Sequence, residues 1–117
     1  MSPHTLKTRL AQIEVLPGQP RENTNTILEH IAEAIRDGIE LLVFPEMAVP
    51  GYLLGDTWEQ QAFLRQCEAC GHEIRRASQG LIVTFGNVAV DWSRRNEDGR
   101  VRKYNAIFVA ENGEFVS

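Results

Sequence analysis

A mixed α/β sheet with its helices on one face is the fold class that this sequence predicts, and three observations carry it. Leu41-Leu42-Val43-Phe44 is an apolar run too short for a helix and halted by Pro45, which reads as a buried strand. Upstream, apolar residues recur at three- and four-residue spacing from Ile27 to Ile35, so a helix separates this strand from an earlier one. A strand-helix-strand unit crosses over right-handedly, which makes its two strands parallel. Downstream, two β-branched apolar stretches meet through the turn Asn96-Glu97-Asp98-Gly99, and the resulting hairpin adds antiparallel pairing.

The first strand is expected within Leu6 to Ile13, where apolar residues alternate loosely. Pro17-Gly18-Gln19-Pro20 breaks it with turn chemistry. In the helix that follows, Ile27, Leu28, Ile31, Ala32, Ala34 and Ile35 form the apolar stripe, and Glu29, His30, Glu33 and Arg36 take the other face. Asp37-Gly38 ends it, because glycine accepts a left-handed cap. The second strand is Glu40 to Phe44. Asp56 and Glu59 stand at capping-box spacing and predict one long helix from Thr57 to about Ala77, with Phe63, Leu64, Cys67, Cys70 and Ile74 inward. Leu81 to Val90 is the third strand, buried on both faces in its first half, and Arg102 to Ala110 the fourth. Asn112-Gly113 predicts a tight turn into a fifth strand beginning at Phe115-Val116.

The 117 residues are 43% hydrophobic and 24% charged, the balance of one ordinary globular domain. A net charge of −4 argues against a nucleic acid or an anionic membrane recruited by bulk charge. No stretch approaches the roughly 18 apolar residues of a membrane span, and the N-terminus carries no apolar signal region, which makes the cytoplasm the expected compartment.

Pro45 exposes Glu46 at the carboxyl end of the second strand, where catalytic groups of open α/β sheets gather. A carboxylate in that place is ordinarily a solvated or capping group. The words around it change the reading. Val43-Phe44-Pro45-Glu46 with Pro50-Gly51-Tyr52 resembles the first catalytic motif of the nitrilase, or carbon-nitrogen hydrolase, superfamily, and Gly51-Tyr52-Leu53-Leu54-Gly55-Asp56-Thr57-Trp58-Glu59 resembles the glutaminase domain of glutamine-dependent NAD synthetases.

That resemblance implies the front portion of a nitrilase-like α-β-β-α sandwich, with residues 1–117 an incomplete carbon-nitrogen hydrolase domain and the synthetase domain outside this chain. It implies Glu46 as general base and Tyr52 as a border of the glutamine site, with Leu53 and Leu54 beside it. A core or interface aromatic is the plainer account of Tyr52, and packing at a helix start that of Trp58. The family's lysine follows a Tyr-Asn motif; Tyr104-Asn105 is present here, and the matching lysine is expected beyond Ser117, since Lys103 precedes the motif. Asn105 either holds the glutamate loop by hydrogen bonds or merely caps a strand edge. The family's cysteine nucleophile is also expected downstream.

Cys67 and Cys70 lie within a helix and read as small core hydrophobes, not as a redox pair or, with His72, a metal site. His4 and His30 have no partner for one either. Arg94, Arg95, Arg100, Arg102 and Lys103 are interrupted by Asp91, Glu97 and Asp98, and read as a solvated hairpin tip or a contact with another subunit. The resemblance further implies glutamine as substrate, no cofactor or metal in this domain, ATP and magnesium in a synthetase domain of the same parent chain, and a homo-oligomer. The fragment alone is expected to be inactive and to expose apolar sheet surface. Two alternatives remain: another amidase of the superfamily acting on a small amide, and a non-catalytic α/β interaction module.

Overall fold

The computed structural model describes residues 5–52 and 54–117; the expectations for His4 and Leu53 lie outside them. Five strands form one mixed sheet in chain order: β1 (Thr8–Leu10), β2 (Leu41–Val43), β3 (Ile82–Arg95), β4 (Val101–Glu111) and β5 (Glu114–Phe115). β1, β2 and β3 pair in parallel, Leu10 beside Val43 beside Thr84, and β3, β4 and β5 pair antiparallel. The helices α1 (Pro20–Arg36) and α2 (Gln61–Ala77) pack on each other, and α2 lies against β3. The expected mixed α/β class is the one observed.

α1 begins at Pro20, whose missing N–H sits where a helix leaves donors unpaired anyway. Its buried stripe is narrower than the sequence suggests. Asn23, Thr24, Ile27, Ile31 and Ala34 turn inward, whereas Ala32 is exposed and Ile35 is 44% exposed. His30 is not on the solvent face: its ring stands edge-on to Phe44, 6.1 Å between centroids.

The single long helix expected from Thr57 does not form. A 3₁₀ turn, Gly55–Glu59, ends at Gln60, whose extended backbone (ψ 120°) separates it from α2. Neither segment has a side-chain cap. Glu59 is drawn away instead to Lys103 on β4, 2.8 Å distant. Beyond that break α2 buries the expected Phe63, Leu64, Cys67, Cys70 and Ile74. β3 runs on to Arg95, past the expected end at Val90, with a register irregularity between Asp91 and Arg95.

Alternation along β3 sorts the sheet into two faces. Val83, Phe85 and Asn87 point to α2, where the Asn87 amide donates to the Cys67 carbonyl at 2.9 Å. Ile82, Thr84 and Gly86 point the other way, with Val109 and Ile107 opposite the last two on β4. On that side Leu10 is 73% and Ile107 58% exposed, so part of the sheet is bare apolar surface, as expected. Burial of β3 on both faces therefore holds only in part: Ile82 and Thr84 are half-buried.

Candidate active site

Glu46 opens a turn, residues 46–50, that begins two residues after β2's neighbour Phe44 leaves the sheet. The turn is fastened from three sides. Gly86 donates its N–H to the Pro45 carbonyl (3.2 Å) and accepts from Val49 N–H (3.2 Å), so the turn straddles β3. Gly86 must be glycine for this: a Cβ there would stand 2.1 Å from Met47 N and 2.7 Å from Glu46 Cα. Asn23 of α1, wholly buried, donates to Val49 O (2.9 Å) and exchanges two bonds with Leu16. Gly51 closes the turn at φ +77°, packed on Pro17 so tightly that a side chain would overlap its backbone. Met47, buried, takes φ +52°, a conformation that costs a non-glycine residue energy and is held only because the neighbours over-determine it.

The Glu46 side chain is exposed on the sheet face opposite α2. Asn105, which lies across from Val88 in the ladder, reaches it with Nδ2 2.6 Å from Oε1. A carboxylate only accepts, so the Asn105 amide donates. Tyr52 lies close to the same carboxylate, though outside ordinary hydrogen-bond geometry. The neighbouring Glu46 carboxylate, then desolvation, raises the pKa of the Tyr52 phenol, and Asn105 opposes the shift. The structure thus brings Glu46 and Tyr52 together and adds Asn105. Beside them Met47, Gly51, Tyr52, Leu54, Gly55 and Trp58 line a cavity of about 210 Å³ with mainly apolar walls.

Lys103 lies on the same face of β4 as Asn105, two residues earlier. It is not part of a solvated hairpin tip: its side chain is only 7% exposed and is committed to Glu59. Arg100 reaches the same Glu59 oxygen at 3.7 Å. Cys67 and Cys70 face the core on the other side of the sheet, and burial, then the neighbouring Cys70, pushes the Cys67 thiol up to about 12, so it stays protonated and inert at neutral pH. Among the described residues no three His, Cys, Asp or Glu side chains gather as a metal site. The Glu46 site offers one carboxylate, not the set of oxygen ligands a magnesium-bound nucleotide requires.

Gly86, Met47 and the Lys103–Glu59 pair were not singled out by sequence reasoning as parts of the site. The signal that could have found Gly86 is a glycine inside a β-branched run, which marks close backbone approach.

Residues 7–117 match the carbon-nitrogen hydrolase family. A glutamine-dependent NAD(+) synthetase from Xanthomonas campestris pv. campestris is 36% identical over 71% of this chain and 15% of its own length. An aliphatic nitrilase from Rhodococcus rhodochrous is 30% identical over 74% of the chain and 25% of its own length. In three dimensions the crystal structure of a glutamine-dependent NAD(+) synthetase from Cytophaga hutchinsonii superposes with a TM-score of 0.79 at 23% identity, over 96% of this chain and 18% of that one. The chain therefore spans between about one seventh and one quarter of the curated relatives' length. No helix among the described residues is long and apolar enough to cross a membrane. With its sheet, its Glu46 turn and a family match over almost its whole length, the chain belongs to the carbon-nitrogen hydrolase family.

Proposed function

We propose that residues 1–117 are the front of a glutaminase domain whose parent protein passes ammonia to an ATP- and magnesium-dependent synthetase domain that amidates nicotinic acid adenine dinucleotide to NAD. Glu46 is the general base and Tyr52 borders the glutamine site. The observation that carries this reading is Glu46 itself: a carboxylate at a strand's carboxyl edge, its turn fastened by Gly86 and Asn23 and its side chain exposed beside a cavity.

The chemistry is amide hydrolysis at a thiol. Glu46 takes the proton from a cysteine S–H, and the thiolate attacks the amide carbon. The amide C–N bond breaks, the proton passes to the departing nitrogen, ammonia leaves, and a thioester remains for water to hydrolyse. A cation stabilises the oxyanion. Among the described residues Lys103 is engaged by Glu59 and both cysteines are buried behind the sheet, so none of the three is placed for the other two roles. On this reading the parent protein supplies the lysine and the cysteine from outside these residues, and the 117 residues alone are expected to turn nothing over.

The apolar cavity walls favour a second reading, a hydrolase of small aliphatic amides. One experiment separates the two. In the full-length protein, Glu46→Gln is expected to abolish glutamine-driven NAD formation, a loss of about 100-fold or more, while ammonia-driven formation persists. Activity toward aliphatic amides with no synthesis of NAD supports the second reading. Retention of every activity in the variant removes Glu46 as the base.

A further inference from the structure

We propose that Asn105 is a positioning residue for Glu46: from the antiparallel half of the sheet its side-chain amide pins one carboxylate oxygen and turns the other toward the thiol whose proton it takes. The inference rests on the reading of Glu46 as the base of an amide hydrolase.

Two fixed points on adjacent strands define the carboxylate. Its backbone is seated on Gly86 of β3, and its Oε1 is held 2.6 Å from Asn105 Nδ2 on β4. Asn105 has little freedom of its own, because the β3–β4 ladder is continuous from the Ile82–Glu111 pair to the Asp91–Arg102 pair and carries it opposite Val88. The two residues are 59 apart in sequence, so the contact exists only in the assembled sheet.

Both side chains are exposed, and an exposed polar pair contributes little to stability. The short bond is better explained by orientation than by holding the fold. The chemistry of the donor fits that role. A general base must retain affinity for a proton near the working pH. A cation at the same place would favour the ionised carboxylate and weaken it as a base, whereas a neutral amide fixes the plane of the group with less effect on its charge. The nearest candidate cation on β4, Lys103, is kept occupied by Glu59 at 2.8 Å.

The test is ammonia release from glutamine by the full-length protein, as a function of pH, for Asn105→Ala, Asn105→Asp and Glu46→Gln. Both Asn105 variants are expected to lower kcat about 10- to 100-fold, with KM moving less than about threefold. Asn105→Asp keeps the side chain's shape but sets a second carboxylate against Glu46. Like charges at that distance raise the pKa of the pair, so the acid limb of the profile is expected to move up by about one pH unit or more. An Asn105→Asp enzyme that folds with unchanged kcat and an unmoved acid limb, while Glu46→Gln is inactive, overturns the positioning role and leaves the base assignment standing. Full activity in Glu46→Gln overturns the base assignment itself, and the inference with it.

Discussion

The two faces of the sheet are built to different rules. Toward the helices, Leu42, Val83 and Phe85 are completely buried and meet Ile27, Ile31, Leu64, Cys67 and Ile74, which are equally enclosed. That face is closed and holds the fold together. On the opposite face the sheet presents Glu46, Asn105 and Lys103, with Leu10 and Ile107 bare on the same side. Alternation along a strand is enough to separate the two tasks, because successive side chains cannot share a face. Groups on the open face can answer to chemistry without disturbing the core one residue away.

The sharpest test of that division is a pair of truncations one residue and one cross-strand step apart. Phe85→Ala removes a ring that stacks on Phe108 at 5.6 Å and is expected to lower stability by about 3–5 kcal/mol. Ile107→Ala, measured on this 117-residue chain, is expected to change it by no more than about 0.5 kcal/mol. Urea unfolding of both variants decides the matter: comparable losses would mean that the open face is covered in solution.

Gly86→Ala is the next largest effect, because the added Cβ falls on the Glu46–Met47 backbone and not on a movable side chain. A loss of about 3 kcal/mol is expected, at the upper end for overpacking. An unchanged urea midpoint would show that the turn can lift off β3.

The smallest effect is read at Tyr52. Glu46 holds the phenolic proton on, so Tyr52 titrates above its ordinary value. A raised pKa in the folded state stabilises the fold below the unfolded phenol's pKa, near 10, and that contribution fades as pH rises through the folded value. Glu46→Gln, in a Tyr104→Phe background, is expected to return the titration toward the ordinary value, followed as tyrosinate absorbance. A curve that does not move separates Tyr52 from the site.

These residues also show what could be read in advance. The inner face of α2 was legible from Phe63 to Ile74, since its buried residues recur at helical spacing. The hairpin and the Asn112-Gly113 turn were legible from their turn chemistry, and the place of Glu46 just past β2 from the proline that halts that strand. The failures share one cause. Asp56 and Glu59 had the spacing of a cap, but Glu59 found a partner 44 residues away, and no local rule contains Lys103. His30 likewise left the polar face of α1 for Phe44. Asn105 was left between a loop contact and a strand-edge cap because its distance to Glu46 depends on the order of strands, not on either neighbourhood.

Gly86 carries one more consequence. β2 is three residues long, and only three parallel pairs, Leu41–Ile82, Leu42–Val83 and Val43–Thr84, set its alignment on β3. A slip of one residue would bring Phe85 or Asn87 under the Pro45–Val49 turn, and neither leaves room for it. The missing side chain at position 86 is a notch that admits the turn at a single place, so the residue with nothing to contribute chemically keeps the strand pairing in register.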